Sequence, residues 1–186
     1  MDDKKPIKAQ DYMEPCCPLK MDSYGPNAEV TPIPQKRVMD KLDEYMAKRD
    51  YAGAERHLNY WQEEAEMGGD LKGKLLILNE KIGFYRKTDR KEPAFENIRL
   101  AMELMSRMDY DGSISQGTTF TNAATACQNF GEPERALDYF EKARAIYEGS
   151  EYTAPELLGG LYNNMALSCV SLKKYNEALE LYDKAL

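Results

Sequence analysis

Residues 162–186 read YNNMALSCVSLKKYNEALELYDKAL. Apolar and small residues recur here every three or four positions, as on one face of a helix. The pattern breaks once, at Lys173-Lys174, so the stretch is two helices joined by a tight turn. Residues 120–143, FTNAATACQNFGEPERALDYFEKA, carry the same arrangement 42 residues earlier. Working outward, Ala94, Ala136 and Ala178 are spaced by 42. Around each of them the neighbours recur. Four residues after stand Ile98, Phe140 and Tyr182, and seven after stand Ala101, Ala143 and Ala185. Nine before stand Tyr85, Cys127 and Cys169, twelve before Ile82, Ala124 and Ala166, and sixteen before Leu78, Phe120 and Tyr162. A weaker copy precedes them with Val38, Leu42, Tyr45, Ala54, Leu58 and Trp61. Self-similarity at a fixed period is the mark of a repeat architecture. The alanines are notches where two helices of a hairpin cross closely. Filling one with leucine overpacks the crossing at about 1–3 kcal/mol.

Eight helices follow from the periodicity, at roughly 35–48, 51–67, 70–87, 91–108, 114–130, 132–148, 154–172 and 175–186. The breaks carry turn and cap residues: Lys48-Arg49-Asp50, Gly68-Gly69-Asp70, Thr88-Asp89-Arg90, residues 109–113 and Gly149-Ser150. Pro93, Pro133 and Pro155 fall where a helix begins, in the turn that tolerates proline. Thr153 and Glu156 have the spacing of a capping box for the seventh helix. No stretch alternates with period two, so strands are not expected.

The pattern resembles the tetratricopeptide motif, with a large–small–large first helix and Ala-x3-aromatic-x2-Ala in the second. The resemblance covers residues 35–186, with repeats at about 35–68, 70–109, 113–149 and 153–186. It is strongest in the last two and weakest in the first. At motif position seven, usually leucine, the first two repeats hold Lys41 and Lys81. The 42-residue period exceeds the usual 34 and is similar to the repeats of kinesin light chains and bacterial peptide-pheromone receptors. The resemblance implies an all-α, right-handed superhelix of four stacked helix hairpins, the last one truncated. It also implies that first helices line a concave groove. Motif position five is then Met39, Asn79, Thr121 and Asn163. Position six is Asp40, Glu80, Asn122 and Asn164, and position nine is Asp43, Gly83, Thr125 and Leu167. Positions twelve and thirteen supply Arg86, Lys87, Gln128 and Asn129.

On this reading the partner-binding residues are Asn79, Arg86, Lys87, Thr121, Asn122, Thr125, Asn129, Asn163 and Asn164. Asparagine offers donors and an acceptor on a short stem, which suits the backbone of an extended peptide whatever its side chains. Arg86 and Lys87 would draw an acidic group. Met39 and Asp43 stand where a chaperone-tail carboxylate clamp has lysine and asparagine, so that ligand is not expected.

The 186 residues carry a net charge of −7. A nucleic-acid footprint has the opposite sign, and an anionic membrane surface is disfavoured for the same reason. No run is long and apolar enough for a membrane helix. The start, MDDKKPIKAQDYMEP, has no apolar core for a secretory signal, so a cytoplasmic protein is expected. Six of the nine prolines lie within residues 1–34, a segment expected to be irregular. Such a segment either lies in the groove, packs on the first hairpin or stays disordered. Cys16-Cys17 within it makes an incomplete zinc site.

No metal, cofactor or catalytic residue is assigned. His57 is the only histidine and lacks a nucleophile or second base. Cys127 and Cys169 read as packing residues, and Met102, Met105 and Met108 as a core stripe. Gly117 and Gly159, 42 apart, are expected to admit the preceding hairpin closely. Nothing follows to cover Ala178, Leu179, Tyr182 and Leu186, so further repeats or a homo-oligomer through that helix are expected. The function expected is a protein- or peptide-binding scaffold, not an enzyme. The alternative is a peptide-sensing regulatory receptor whose output domain lies elsewhere.

Overall fold

The computed structural model describes residues 30–108 and 112–186, and Thr31–Leu186 form one unit. Cys16-Cys17, most of the proline-rich segment and residues 109–111 lie outside the described residues. Eight helices and no strand occur among those described: α1 (Gln35–Ala47), α2 (Tyr51–Met67), α3 (Leu71–Lys87), α4 (Lys91–Ser106), α5 (Ile114–Asn129), α6 (Pro133–Gly149), α7 (Pro155–Ser171) and α8 (Tyr175–Ala185).

Each consecutive pair is a hairpin, and every hairpin turn is built the same way. The helix ends on a residue near the right-handed region, and a left-handed residue follows: Arg49, Asp89, Gly131 or Lys173. The next amide then reaches back to a carbonyl five residues earlier. Asp50, Arg90, Glu132 and Lys174 donate to Tyr45, Tyr85, Cys127 and Cys169 respectively, each at 2.9 Å. The left-handed residues also donate, to Met46, Arg86, Gln128 and Val170, at 3.0–3.3 Å. This is the Schellman closure, which satisfies carbonyls a helix end leaves without partners. Tyr45, Tyr85, Cys127 and Cys169 therefore do two jobs: their side chains pack between helices and their carbonyls close the turn.

Asp50, Asp70 and Ser113 cap the following helices by accepting from Gly53, Gly73 and Gln116. Asp70 is buried and uses both oxygens. Oδ1 accepts from Gly73 and Oδ2 from the amide of Ile33, which anchors the run before α1 to the start of α3. The Thr31 amide donates to the Gly68 carbonyl in the same junction.

The alanine notches are where the repeat requires them. Ala54, Ala94, Ala136 and Ala178 are all buried, as are Ala124 and Ala166. Leu58, Ile98 and Phe140 fill the neighbouring holes. Two clusters make up the core. One joins Val38, Leu42, Leu58, Trp61, Ile77 and Phe84. The other runs from Leu75 and Ile82 through Phe140 to Met165 and Leu181. Each hairpin packs on the next through α2·α3, α4·α5 and α6·α7. First helices also touch one another, α3 with α5 and α5 with α7, while no comparable contact joins successive second helices. The first helices therefore crowd one side of a helical-repeat solenoid, and the second helices splay on the other.

Four expectations need correction. Thr153 does not form a capping box. Pro155 takes the first helical position, which shifts the cap to Ala154, and the Thr153 hydroxyl has no hydrogen-bond partner. Gly149 ends α6 within the helix and does not break it. Gly117 meets Tyr147, and Gly159 the carbonyl of Ala185, so both glycines admit the second helix of their own hairpin and not the preceding one. Ala178 is covered by its own hairpin, whereas Leu179 and Leu186 are exposed. At motif position seven, Lys81 is 7% exposed. Its stem packs in the leucine site while its amine donates to Gln62, the way long cationic chains snorkel.

Candidate functional site

Of the first helices, α3, α5 and α7 each bury several core residues and share one side that stays more open, whereas α1 buries only Val38 and Leu42. On α3 that side carries Leu76, Glu80, Gly83, Arg86 and Lys87. On α5 it carries Thr121, Asn122, Thr125 and Asn129, and on α7 Asn163, Asn164, Leu167 and Val170. These positions are half-buried or exposed, and they stand at three- and four-residue spacing. The second helices turn their buried alanines and aromatics toward the core instead.

The sequence-predicted residues divide into three groups. Asn79 is 9% exposed and its carboxamide is engaged at both ends. Nδ2 donates to Thr119 Oγ1 at 2.9 Å, and Oδ1 accepts from Asn122 Nδ2 at 3.2 Å. Asn79 and Asn122 thus tie α3 to α5. Thr121 and Thr125 are half-buried and turn their hydroxyls back onto the carbonyls of Gly117 and Thr121, at 2.9 and 2.7 Å. Their methyl groups remain to line the face. Arg86, Lys87, Asn129 and Asn163 are exposed, and Asn164 is half-buried. The face also holds groups outside the predicted set: Leu167 is 42% and Val170 41% exposed. Motif position nine already gave Leu167, and helical spacing from Asn163 would have found Val170 as well.

Gly83 sits mid-helix on this face, and a Cβ added there meets nothing within 4 Å. Packing therefore does not require a glycine at this position. Glycine inside a helix costs about 0.5–1 kcal/mol relative to alanine. One turn before it, Glu80 is half-buried and its carboxyl is pushed above the usual range, first by burial and then by the like charge of Asp43 on α1. One turn after it come Arg86 and Lys87. Among the described residues, none of these four charges has a hydrogen bond or ion pair from its side chain. Elsewhere ion pairs join neighbouring helices, as in Arg90–Glu55 and Lys91–Glu132.

The other groups with chemical potential are absorbed by packing. His57 lies between the rings of Tyr45 and Trp61 and contacts the Val38 carbonyl through Nε2 at 2.9 Å. Burial lowers its pKa. Cys127 and Cys169 are buried free thiols, and burial pushes Cys127 up to about 11. A thiol held neutral is a poor nucleophile. Met105 is buried, with Met102 and Met108 packed against the same core. Tyr85 is pushed up to about 12 by burial and by donating to Glu55, which also holds Arg90. No set of three metal-ligating side chains comes together among the described residues. No described helix is long and apolar enough to cross a membrane.

Comparison with solved structures aligns 81% of this chain with BtubC (BKLC) from P. vanneervenii, at a TM-score of 0.74 and 18% sequence identity. Its fold resembles that of BtubC. The aligned part covers 60% of the BtubC chain, so this chain spans less than two thirds of that length. MamA protein aligns over 81% of this chain and 89% of its own, with a TM-score of 0.42 and 17% identity. No protein-family model and no curated protein matches the sequence.

Proposed function

We propose that this chain is a binding module without catalytic chemistry, which holds an extended segment of another protein across α3, α5 and α7. The observation that carries the proposal is the one side of the first helices left unburied. It places polar side chains beside Leu167 and Val170, in line across three hairpins. Polar residues alone would suit a solvated face. Exposed aliphatic side chains among them suit contact with a partner. The resemblance of the repeats to long tetratricopeptide repeats supports the same reading, and the proposed setting is the cytoplasm.

The test is capture of partners by the full chain, with a photo-crosslinker at Leu167 and, as a control, at Glu134 on the outer helix α6. Partners that crosslink at Leu167 and are lost from a Leu167→Asp, Asn163→Ala variant support the reading. Crosslinks confined to Glu134, or capture unchanged in the folded variant, defeat it. Asn122→Ala is a poorer test, because it also removes the bond to Asn79.

A further inference from the structure

The face of α3 carries a pattern that the general binding reading leaves unused. On α3, Glu80 stands one turn before Gly83, with Asp43 of α1 close enough for its charge to be felt there, and Arg86 and Lys87 stand one turn after. Six or seven residues of helix separate the two tiers, about 10 Å at 1.5 Å per residue. The open space above Gly83 lies midway. All four charges lack intramolecular partners among the described residues, and the Glu80 carboxyl carries a desolvation penalty as it stands.

An extended peptide backbone crossing α3 has side chains that project alternately to opposite sides. If its main chain runs over Gly83, consecutive side chains point at the two tiers. Each spans about half of the separation, which is within the reach of a lysine or glutamate side chain. We propose that the segment held here carries neighbouring residues of opposite charge, Lys or Arg beside Asp or Glu. The basic side chain sits against Asp43 and Glu80, the acidic one against Arg86 and Lys87, and the backbone passes over the Gly83 notch. This rests on the binding reading above and adds the chemistry of the occupant.

The probe is an array of synthetic twelve-residue peptides on one uncharged background, each with a central pair: Lys-Glu, Glu-Lys, Lys-Lys, Glu-Glu or Ser-Ser. Binding of the full chain is read by fluorescence polarisation. At least one opposite-charge pair should bind roughly three- to tenfold tighter than the other three pairs. Bulk attraction does not imitate this, because a chain of net charge −7 favours Lys-Lys over a neutral pair. The Asp43→Lys, Glu80→Lys variant should shift preference to Glu-Glu. The Arg86→Glu, Lys87→Glu variant should shift it to Lys-Lys. Gly83→Leu should weaken every peptide while the melting temperature holds or rises.

Charge reversals at Glu63 and Glu134, both on outer helices, should leave the ranking unchanged. The inference is overturned if opposite-charge pairs show no advantage, or keep it in both inner reversals. Peptides bound without charge preference overturn the clamp and leave the binding reading standing. If no array peptide binds, the clamp is overturned, and the Leu167 crosslink separately decides the broader reading.

Discussion

Glycines at superficially similar places do opposite things. The Cβ of Gly117→Ala would fall well inside contact distance of the Tyr147 ring, so the hairpin of α5 and α6 must open or the ring must leave its site. A loss of about 1–3 kcal/mol is expected by urea denaturation. Gly83→Ala meets no atom and should gain about 0.5–1 kcal/mol from helix propensity. In the sequence Gly83 and Gly117 both read as glycines inside helices, and only the packing around them separates the one the fold needs from the one it does not. Glu80 yields a third expectation. Its folded-state pKa is raised, so the contribution is favourable below the unfolded value and is lost as pH rises through the folded value. Glu80→Gln should therefore be more stable than the native chain at about pH 7, and the difference should vanish in acid, where both side chains are neutral. Equal stability near neutrality would show that burial and Asp43 do not penalise the carboxylate.

At the level of elements, helix existence and most ends were legible because alanine notches, aromatic knobs and turn residues all agree with one period. Two kinds of fact were not. Thr153 and Glu156 satisfy the capping-box spacing, but Pro155 between them sets the first turn and moves the cap. The bond from Asn79 to Thr119 joins residues 40 apart in the chain, and nothing local to Asn79 announces it. Of the candidate site, the exposure of Asn163, Asn129, Arg86 and Lys87 was legible from their motif positions, and the burial of Asn79 was not. The four hairpin turns supply a further test. Three of them place a non-glycine residue in the left-handed region, at about 1–2 kcal/mol, partly offset by glycine's larger unfolded-state entropy. Lys173→Gly and Arg49→Gly should each gain up to about 1 kcal/mol, and Gly131→Ala should lose about 1 kcal/mol, read as shifts in denaturation midpoint.

Across the whole molecule, stability in a stacked array is a sum of hairpin and interface contributions. The two core clusters meet in α3, where Ile77 and Phe84 belong to the first and Leu75 and Ile82 to the second. Ala178→Leu should loosen α7 and α8 and leave protection of α2 and α3 nearly unchanged in hydrogen exchange. Ala94→Leu, beside both clusters, should lower protection in hairpins on either side. Uniform loss from Ala178→Leu would mean that the array melts as one unit.

The carboxamide of Asn79 reaches two residues of the next hairpin, Thr119 and Asn122. Asn79 and Thr119 both sit where water has little access. Sliding α5 by a turn along α3 would strand these groups without replacements. The spacing between one hairpin's inner side chains and the next is thus set as the graduations of a ruler are set. A guest must match those intervals, because this joint does not stretch to suit it.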